Sequence, residues 1–255
     1  MRIHVALTPA DFAGLALDAR AALVVDVFRA TTTVVAACAA GCARIVPVLD
    51  REAALVAAAQ FALSDVLLAG ERGGMMITGF HLGNSPLEYV AERVAGRTVI
   101  FTTTNGTEAM LQAGRAAVAA TAALVNAAAA AQWALAQDRD LTILCAGERR
   151  AFSLEDAVCA GIVIERMLSE VGSVDLTDAA LAALRLGEHY AGRLERLELE
   201  SEWGRHLARQ GRAADLEACL RLGSSPLVPV FEAGVIVPGP GQPRSATPGW
   251  VPRGR

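Results

Sequence analysis

Ala21-Ala-Leu-Val-Val-Asp26-Val-Phe-Arg29-Ala-Thr31-Thr32-Thr33 is the stretch that decides the fold. An apolar, partly β-branched run reads as a buried strand, an acid stands at its C-terminal end, and an arginine and a cluster of hydroxyls follow where a helix would begin. The same rhythm recurs along the chain as a β-branched run, a Thr/Gly/Asn-rich cluster, and then an Ala/Leu-rich helical stretch. Such βα repetition predicts a three-layer α/β/α fold on a mostly parallel sheet. Strands are expected over 3–7, 22–26, 45–48, 66–69, 98–102, 118–121 and 141–145. Helices are expected over 32–40, 51–60, 85–94, 106–113, 126–137 and 153–171, with longer ones between 176 and 222. Residues 1–237 then form a single α/β domain, and the Pro/Gly/Arg-rich segment 238–255 reads as a mobile tail.

The pattern hints at two pseudo-repeated halves. Laid over each other, residues 22–94 and 98–170 both read strand, Thr-rich loop, helix, strand, helix, strand, and then the tetrapeptide Ala-Gly-Glu-Arg, at Ala69–Arg72 and again at Ala146–Arg149. Asp26 falls opposite Thr102, which would make the two loops partners in one site.

Composition narrows the function. The 255 residues carry a net charge of −4 and few aromatic residues, so no basic stripe invites nucleic acid. The five cysteines are odd in number and scattered, and no secretory leader precedes them, which reads as reduced thiols in a cytoplasm. The chain runs uncharged from Arg115 to Asp138, but it is mostly alanine, diluted by Thr121, Asn126 and Gln132, so a buried helix–strand–helix passage is expected there and no membrane span. The subunit count is left open, with a homo-oligomer among the options.

The chemistry is expected at the strand tips, because ligands of parallel sheets bind beyond the carboxyl ends of the strands. Around Asp26, helix N–H groups, the Thr31 and Thr32 hydroxyls and the Arg29 guanidinium make a phosphate cradle, although simple N-capping would also explain the threonines. Thr102-Thr103-Thr104-Asn105-Gly106-Thr107 repeats that geometry as a second anion loop, with a capped turn as the plainer reading. Glu71 and Glu148 each follow a strand-ending glycine, and with Asp26 they are candidate Mg²⁺ ligands, since hard cations take carboxylate oxygen. Glu–Arg surface pairing with Arg72 and Arg149 is the alternative. Asn84 and Ser85 in Gly83-Asn-Ser-Pro86 enter an expected helix, with Ser85 as its cap. Ser153-Leu-Glu155-Asp156 has the same form.

Other phosphatase chemistries fit poorly. Cys38 and Arg44 have Cys-x5-Arg spacing, but Cys38 falls inside an expected helix, and Cys145 is mis-spaced. An aspartyl-phosphate route would place a second acid where Phe28 stands. No Gly-rich loop matches a nucleotide motif. Metal-activated water is preferred.

Taken together, Asp26-Val-Phe-Arg29-Ala-Thr31-Thr32, Gly79-Phe-His-Leu-Gly83-Asn84-Ser85-Pro86, Thr102-Thr-Thr-Asn105-Gly106-Thr107 and Phe152-Ser-Leu-Glu155-Asp156 closely resemble the 2-phosphosulfolactate phosphatase family. The resemblance spans about residues 1–237 and includes Ser201-Glu-Trp-Gly-Arg-His-Leu and Asp215-Leu-Glu-Ala-Cys219. It implies an α/β/α, Mg²⁺-dependent hydrolase that converts 2-phosphosulfolactate to sulfolactate and phosphate, a step of coenzyme M synthesis. Such a substrate carries phosphate, carboxylate and sulfonate on three carbons, which gives a reason for several anion loops and for Arg29, Arg72 and Arg149 near them. Asp26, Arg29 and Glu148 would be catalytic. Thr31, Thr32, Arg72, Asn84, Ser85, Thr103, Thr104, Asn105, Gly106, Thr107 and Arg149 would hold the substrate. One departure stands out: Arg150 occupies a position where the family's pattern leads us to expect glycine. A non-catalytic binder of a phosphorylated acid, or a phosphotransferase to another acceptor, would carry similar loops.

Overall fold

A computed structural model describes residues 1–239 of the chain. Its strands are β1 (Arg2–Ala6), β2 (Ala21–Val25), β3 (Arg44–Pro47), β4 (Val66–Arg72), β5 (Met75–Met76), β6 (Thr98–Thr102), β7 (Val118–Ala122), β8 (Leu141–Cys145), β9 (Asp175–Leu176), β10 (Val230–Glu232) and β11 (Val235–Val237). The helices are α1 (Ala30–Ala39), α2 (Arg51–Ala58), α3 (Ala91–Val94), α4 (Gly106–Ala113), α5 (Ala127–Ala136), α6 (Leu154–Val171), α7 (Asp178–Tyr190), α8 (Arg196–Glu200), α9 (Glu202–Arg209) and α10 (Ala213–Cys219).

One eleven-stranded sheet runs in the order β5-β4-β6-β3-β11-β10-β7-β2-β8-β1-β9. Pairing is parallel through β4-β6-β3 and through β7-β2-β8-β1-β9, and the hairpin β10–β11 joins these two blocks by antiparallel pairs. The order is two-fold in pattern. β6 lies between β4 and β3, and β2 lies between β7 and β8, so the first strand of each compared stretch, 22–94 or 98–170, sits between the other's second and third.

Successive residues along the strands enter opposite layers, as a pleated strand requires. Val24, Ile45, Val99 and Phe101 pack with α1 and α4. On the other face Leu23, Val25 and Ile143 pack with α5, α6 and α7, while Val46, Val66 and Ile100 pack with α2. The fold is therefore the expected three-layer α/β/α on a mostly parallel sheet. The alanine-rich passage from Arg115 to Asp138 holds β7 and α5 and not the expected helix–strand–helix, because α4 ends before it at Ala113; no helix among the described residues is long and apolar enough to cross a membrane. All five cysteines are free and buried.

Three expectations need correction. The helix expected over 85–94 is a single 3-10 turn, Pro86–Glu88, followed by the short α3. There Glu88 Oε2 accepts from Gly83 N at 2.7 Å and Tyr89 donates its hydroxyl to Gly83 O at 2.8 Å, which folds both side chains back on the preceding loop. After α7, the expected long helices are three short ones, because Ser201 ends α8 and caps α9 through Gly204 N at 2.9 Å. The hairpin β10–β11 was not foreseen, since strands of three residues are too short to display a period. The expected tail lies outside the described residues except for Pro238 and Gly239, which are buried.

α6 begins at the acidic turn of the site and is held by a close crossing with α7. A Cβ on Gly161 would lie 1.9 Å from Ala183 O, and one on Gly187 would lie 2.6 Å from the Gly161 carbonyl carbon. Gly161→Ala is expected to destabilise the fold by about 1–3 kcal/mol or more through overpacking. Urea denaturation checks this, and an unchanged midpoint would contradict the crossing.

Candidate active site

Four strand-tip segments meet at the head of α4. Asp26 stands one residue beyond β2, its Oδ1 accepting from Ala30 N at 3.0 Å. Its Oδ2 lies against Gly106, where a Cβ would come within 2.6 Å of that oxygen. Glu71, near the end of β4, accepts from Gly74 N and Thr104 N, both at 2.7 Å. Glu148, beyond β8, accepts from Asn105 Nδ2 at 2.7 Å, and Asn105 Oδ1 accepts from Arg149 N at 3.0 Å. Asp26, Glu71 and Glu148 are thus gathered around residues 104–106, as the strand-tip reading requires.

The structure adds two acids that the sequence reading had treated as parts of a helix cap. Asp156, in the first turn of α6, accepts from Val27 N at 2.9 Å and Gly147 N at 3.1 Å, joining the loops that carry Asp26 and Glu148. Glu155 is buried beside it, with Ser153 and Ser201 as hydrogen-bond partners. Ser153 caps α6 as expected, accepting from Asp156 N at 3.3 Å.

Several expected substrate contacts are occupied within the protein. Arg29 is only 2 % exposed; its Nη1 lies 2.5 Å from Asp215 Oδ2 and its Nη2 donates to Gly74 O at 2.8 Å. Two of its nitrogens thus form a buried clamp, while its Nε has no hydrogen-bond partner among the described residues. Ser85 does not cap a helix with its side chain. It donates to Asp215 Oδ1 at 2.5 Å.

The hydroxyl groups are used in the same way. Thr31 donates to Asp26 O, Thr32 to Val27 O, and Thr107 to Thr103 O, while Thr103 Oγ1 accepts from Thr107 N. Their side chains brace the loops. Arg72 binds Glu71 O, Leu49 O and Thr102 Oγ1, tying strand ends together. Asn84 is buried with Oδ1 unpartnered. Thr104 and Arg149 are exposed, Asn105 is half-buried, and Gly106 opens α4 with no side chain between its backbone and Asp26.

Arg150 adopts φ +64°, the left-handed region that glycine enters freely. This explains why glycine was expected at that position. Its guanidinium turns to Glu108 on α4, at 2.6 and 2.7 Å.

Burial dominates the electrostatics. It pushes the Asp26 carboxyl up to about 7, against the hydrogen bond from Ala30 and with repulsion from Glu71, Glu155 and Glu148. Glu155 is also raised to about 7, chiefly by burial, and Asp156 and Glu148 are raised for the same first cause. An all-oxygen set of crowded carboxylates suits a hard divalent cation, which typically takes one or two carboxylates together with phosphate and water. However, no three His, Cys, Asp or Glu side chains among the described residues are gathered at metal-ligand spacing. Glu71 uses both oxygens on backbone amides, so Asp26, Glu71 and Glu148 are not preassembled as one shell.

A family model described as 2-phosphosulpholactate phosphatase matches residues 7–234. A protein of Symbiobacterium thermophilum named probable 2-phosphosulfolactate phosphatase is 43% identical over 221 residues, covering 87% of this chain and 95% of the relative. Proteins with the same name from Deinococcus radiodurans and Thermotoga maritima are 42% and 35% identical, covering 85% and 87% of this chain and 90% and 93% of theirs.

Removing one member of a buried ion pair leaves the other uncompensated. Asp215→Ala should therefore destabilise the protein by about 3–5 kcal/mol, and the double replacement Arg29→Met with Asp215→Leu by much less. Chemical denaturation of the three proteins checks the order. The raised carboxyls set a pH dependence: the folded chain holds protons that the unfolded chain has released, so stability is full below about pH 4 and falls as pH rises toward 7. Melting temperature in chelator should fall from pH 5 to 8, and Glu155→Gln should flatten that slope. A slope unaltered in the variant would contradict the assignment.

Proposed function

This chain belongs to the 2-phosphosulfolactate phosphatase family, and from that premise we propose that it hydrolyses 2-phosphosulfolactate, or a closely similar phosphorylated hydroxy acid, with Mg²⁺. The observation that carries the reading is the meeting of Asp26, Glu71 and Glu148 around Thr104, Asn105 and Gly106, beyond the carboxyl ends of β2, β4, β6 and β8.

Asp26 with Glu71 or Glu148 would hold the cation. When bound, Mg²⁺ supplies charge neutralisation for the phosphoryl oxygens and acidifies water. The chain's own groups do the rest. The N–H groups that open α4 receive a phosphoryl oxygen with the helix dipole behind them. Thr104 and Asn105 stand at the mouth of that cradle. Asp26 Oδ1 is fixed by Ala30 N, so Oδ2 is the oxygen directed to the reaction, and its position against Gly106 keeps it beside the phosphate.

Asp26→Asn is expected to lower phosphate release by about a thousandfold or more, while the protein stays folded. Phosphate release from 2-phosphosulfolactate, measured with Mg²⁺ and with chelator, tests both parts of the reading. Turnover that survives chelation would remove the metal. Ligand-dependent thermal stabilisation with no product would make the chain a binder, and release that requires an added acceptor would make it a transferase.

A further inference from the structure

Beside the strand-tip loops lies a cavity of about 180 Å³, walled by Glu148 and Arg149 on one side and by Glu202, Trp203, His206 and Arg209 of α9 on the other. α9 is firmly attached to the site. Gln210 Nε2 donates to Gly73 O at 3.1 Å, in the loop that follows Glu71, and the same nitrogen lies 3.0 Å from His206 Nε2. The carbonyl contact identifies that nitrogen as a donor, so His206 Nε2 accepts and a neutral ring carries its proton on Nδ1. The imidazole stacks on Trp203, with ring centroids 4.5 Å apart and planes 15° apart.

The cations in the wall have capacity to spare. The Arg209 side chain makes no hydrogen bond or ion pair with any described residue, and the Arg149 side chain pairs with Glu148 through Nε at 3.3 Å. The Glu148 carboxylate is engaged by Asn105 and Arg149, and Glu202 is exposed at the rim.

We propose that this cavity receives the sulfonate of the substrate, with Arg149 and Arg209 as its partners, so that α9 selects which phosphorylated hydroxy acids are accepted. The proposal rests on the phosphatase reading of the adjoining site. In 2-phosphosulfolactate the phosphate and the carboxylate are both attached at C2, whereas the sulfonate stands on C3. With the phosphate at the head of α4, the sulfonate is the acid that reaches past the strand tips. It is ionised at every accessible pH and offers three oxygens to the planar donor forks of arginine. Trp203 is the buried, apolar part of the same wall.

The test compares kcat/KM for 2-phosphosulfolactate and for 2-phospholactate, which lacks only the sulfonate, in the wild type, Arg209→Gln and Arg209→Lys. The wild-type preference for the sulfonated ester should fall about tenfold or more in Arg209→Gln, mainly through KM, and recover in part in Arg209→Lys. Equal losses on both esters, or an unchanged preference, would overturn the proposal. Calorimetric binding of sulfolactate, which needs no turnover, separates this from the reading it rests on. Binding weakened about tenfold by Arg209→Gln supports the cavity even if no phosphate is released. Sulfolactate bound equally by both proteins, or by neither, refutes it.

Discussion

Carboxylates buried among backbone amides hold this site together. Glu71 joins its own turn to Thr104, Glu148 reaches Asn105, Asp156 links Val27 to Gly147, and Asp215 ties Arg29 to Ser85. Each carboxyl joins segments far apart in sequence by hydrogen bonds formed where water is scarce and the interaction is correspondingly strong. The loops need such bonds because the sheet fixes only their first residues. Without them, the tips of β2, β4, β6 and β8 would be connected only through the strands below.

The sheet order brings only some of those tips together. β4 lies beside β6 and β2 beside β8, while β3, β11, β10 and β7 stand between β6 and β2, so the approach of Asp26 to Gly106 is made by the loops beyond the strands. The hairpin β10–β11 joins the two parallel blocks. The C-terminal helices then close over the edge: α10 supplies Asp215, and α9 supplies the wall of Trp203, His206 and Arg209. Residues of the C-terminal helices therefore complete a site that begins at Asp26.

Much of this was legible in the sequence because it is local. An apolar run ending in an acid, followed by hydroxyls, specifies a strand, a loop and a helix start within a dozen residues, and β6, β8 and α4 have the expected bounds. The convergence of Asp26, Glu71, Glu148 and the 104–106 turn follows from the βα rule that ligands collect beyond strand ends. The illegible part depends on distant partners. Nothing around Arg29 indicates that Asp215 will take its guanidinium, and nothing around Ser85 indicates that its hydroxyl will go to the same carboxylate. Glu155 and Asp156 read correctly as the first turn of a helix; only the fold reveals that this turn is driven into the centre of the site. One signal was available for Arg150, because the expectation of glycine there was an expectation of positive φ.

Asp26 differs from the other acids in a way that bears on its role. Glu71, Glu148, Asp156 and Asp215 each join separate segments, so their burial is explained by architecture alone. Among the described residues the Asp26 carboxyl bonds only Ala30, four residues along its own loop, and its second oxygen faces the backbone of Gly106. A scaffold has no use for that second oxygen, yet keeping it buried among other carboxylates raises its proton affinity at a cost to stability. A local conflict of this kind, with no structural gain to offset it, is what a functional group leaves in a fold. The requirement for glycine at 106 follows from the same contact, since any side chain there would occupy the space that this oxygen commands.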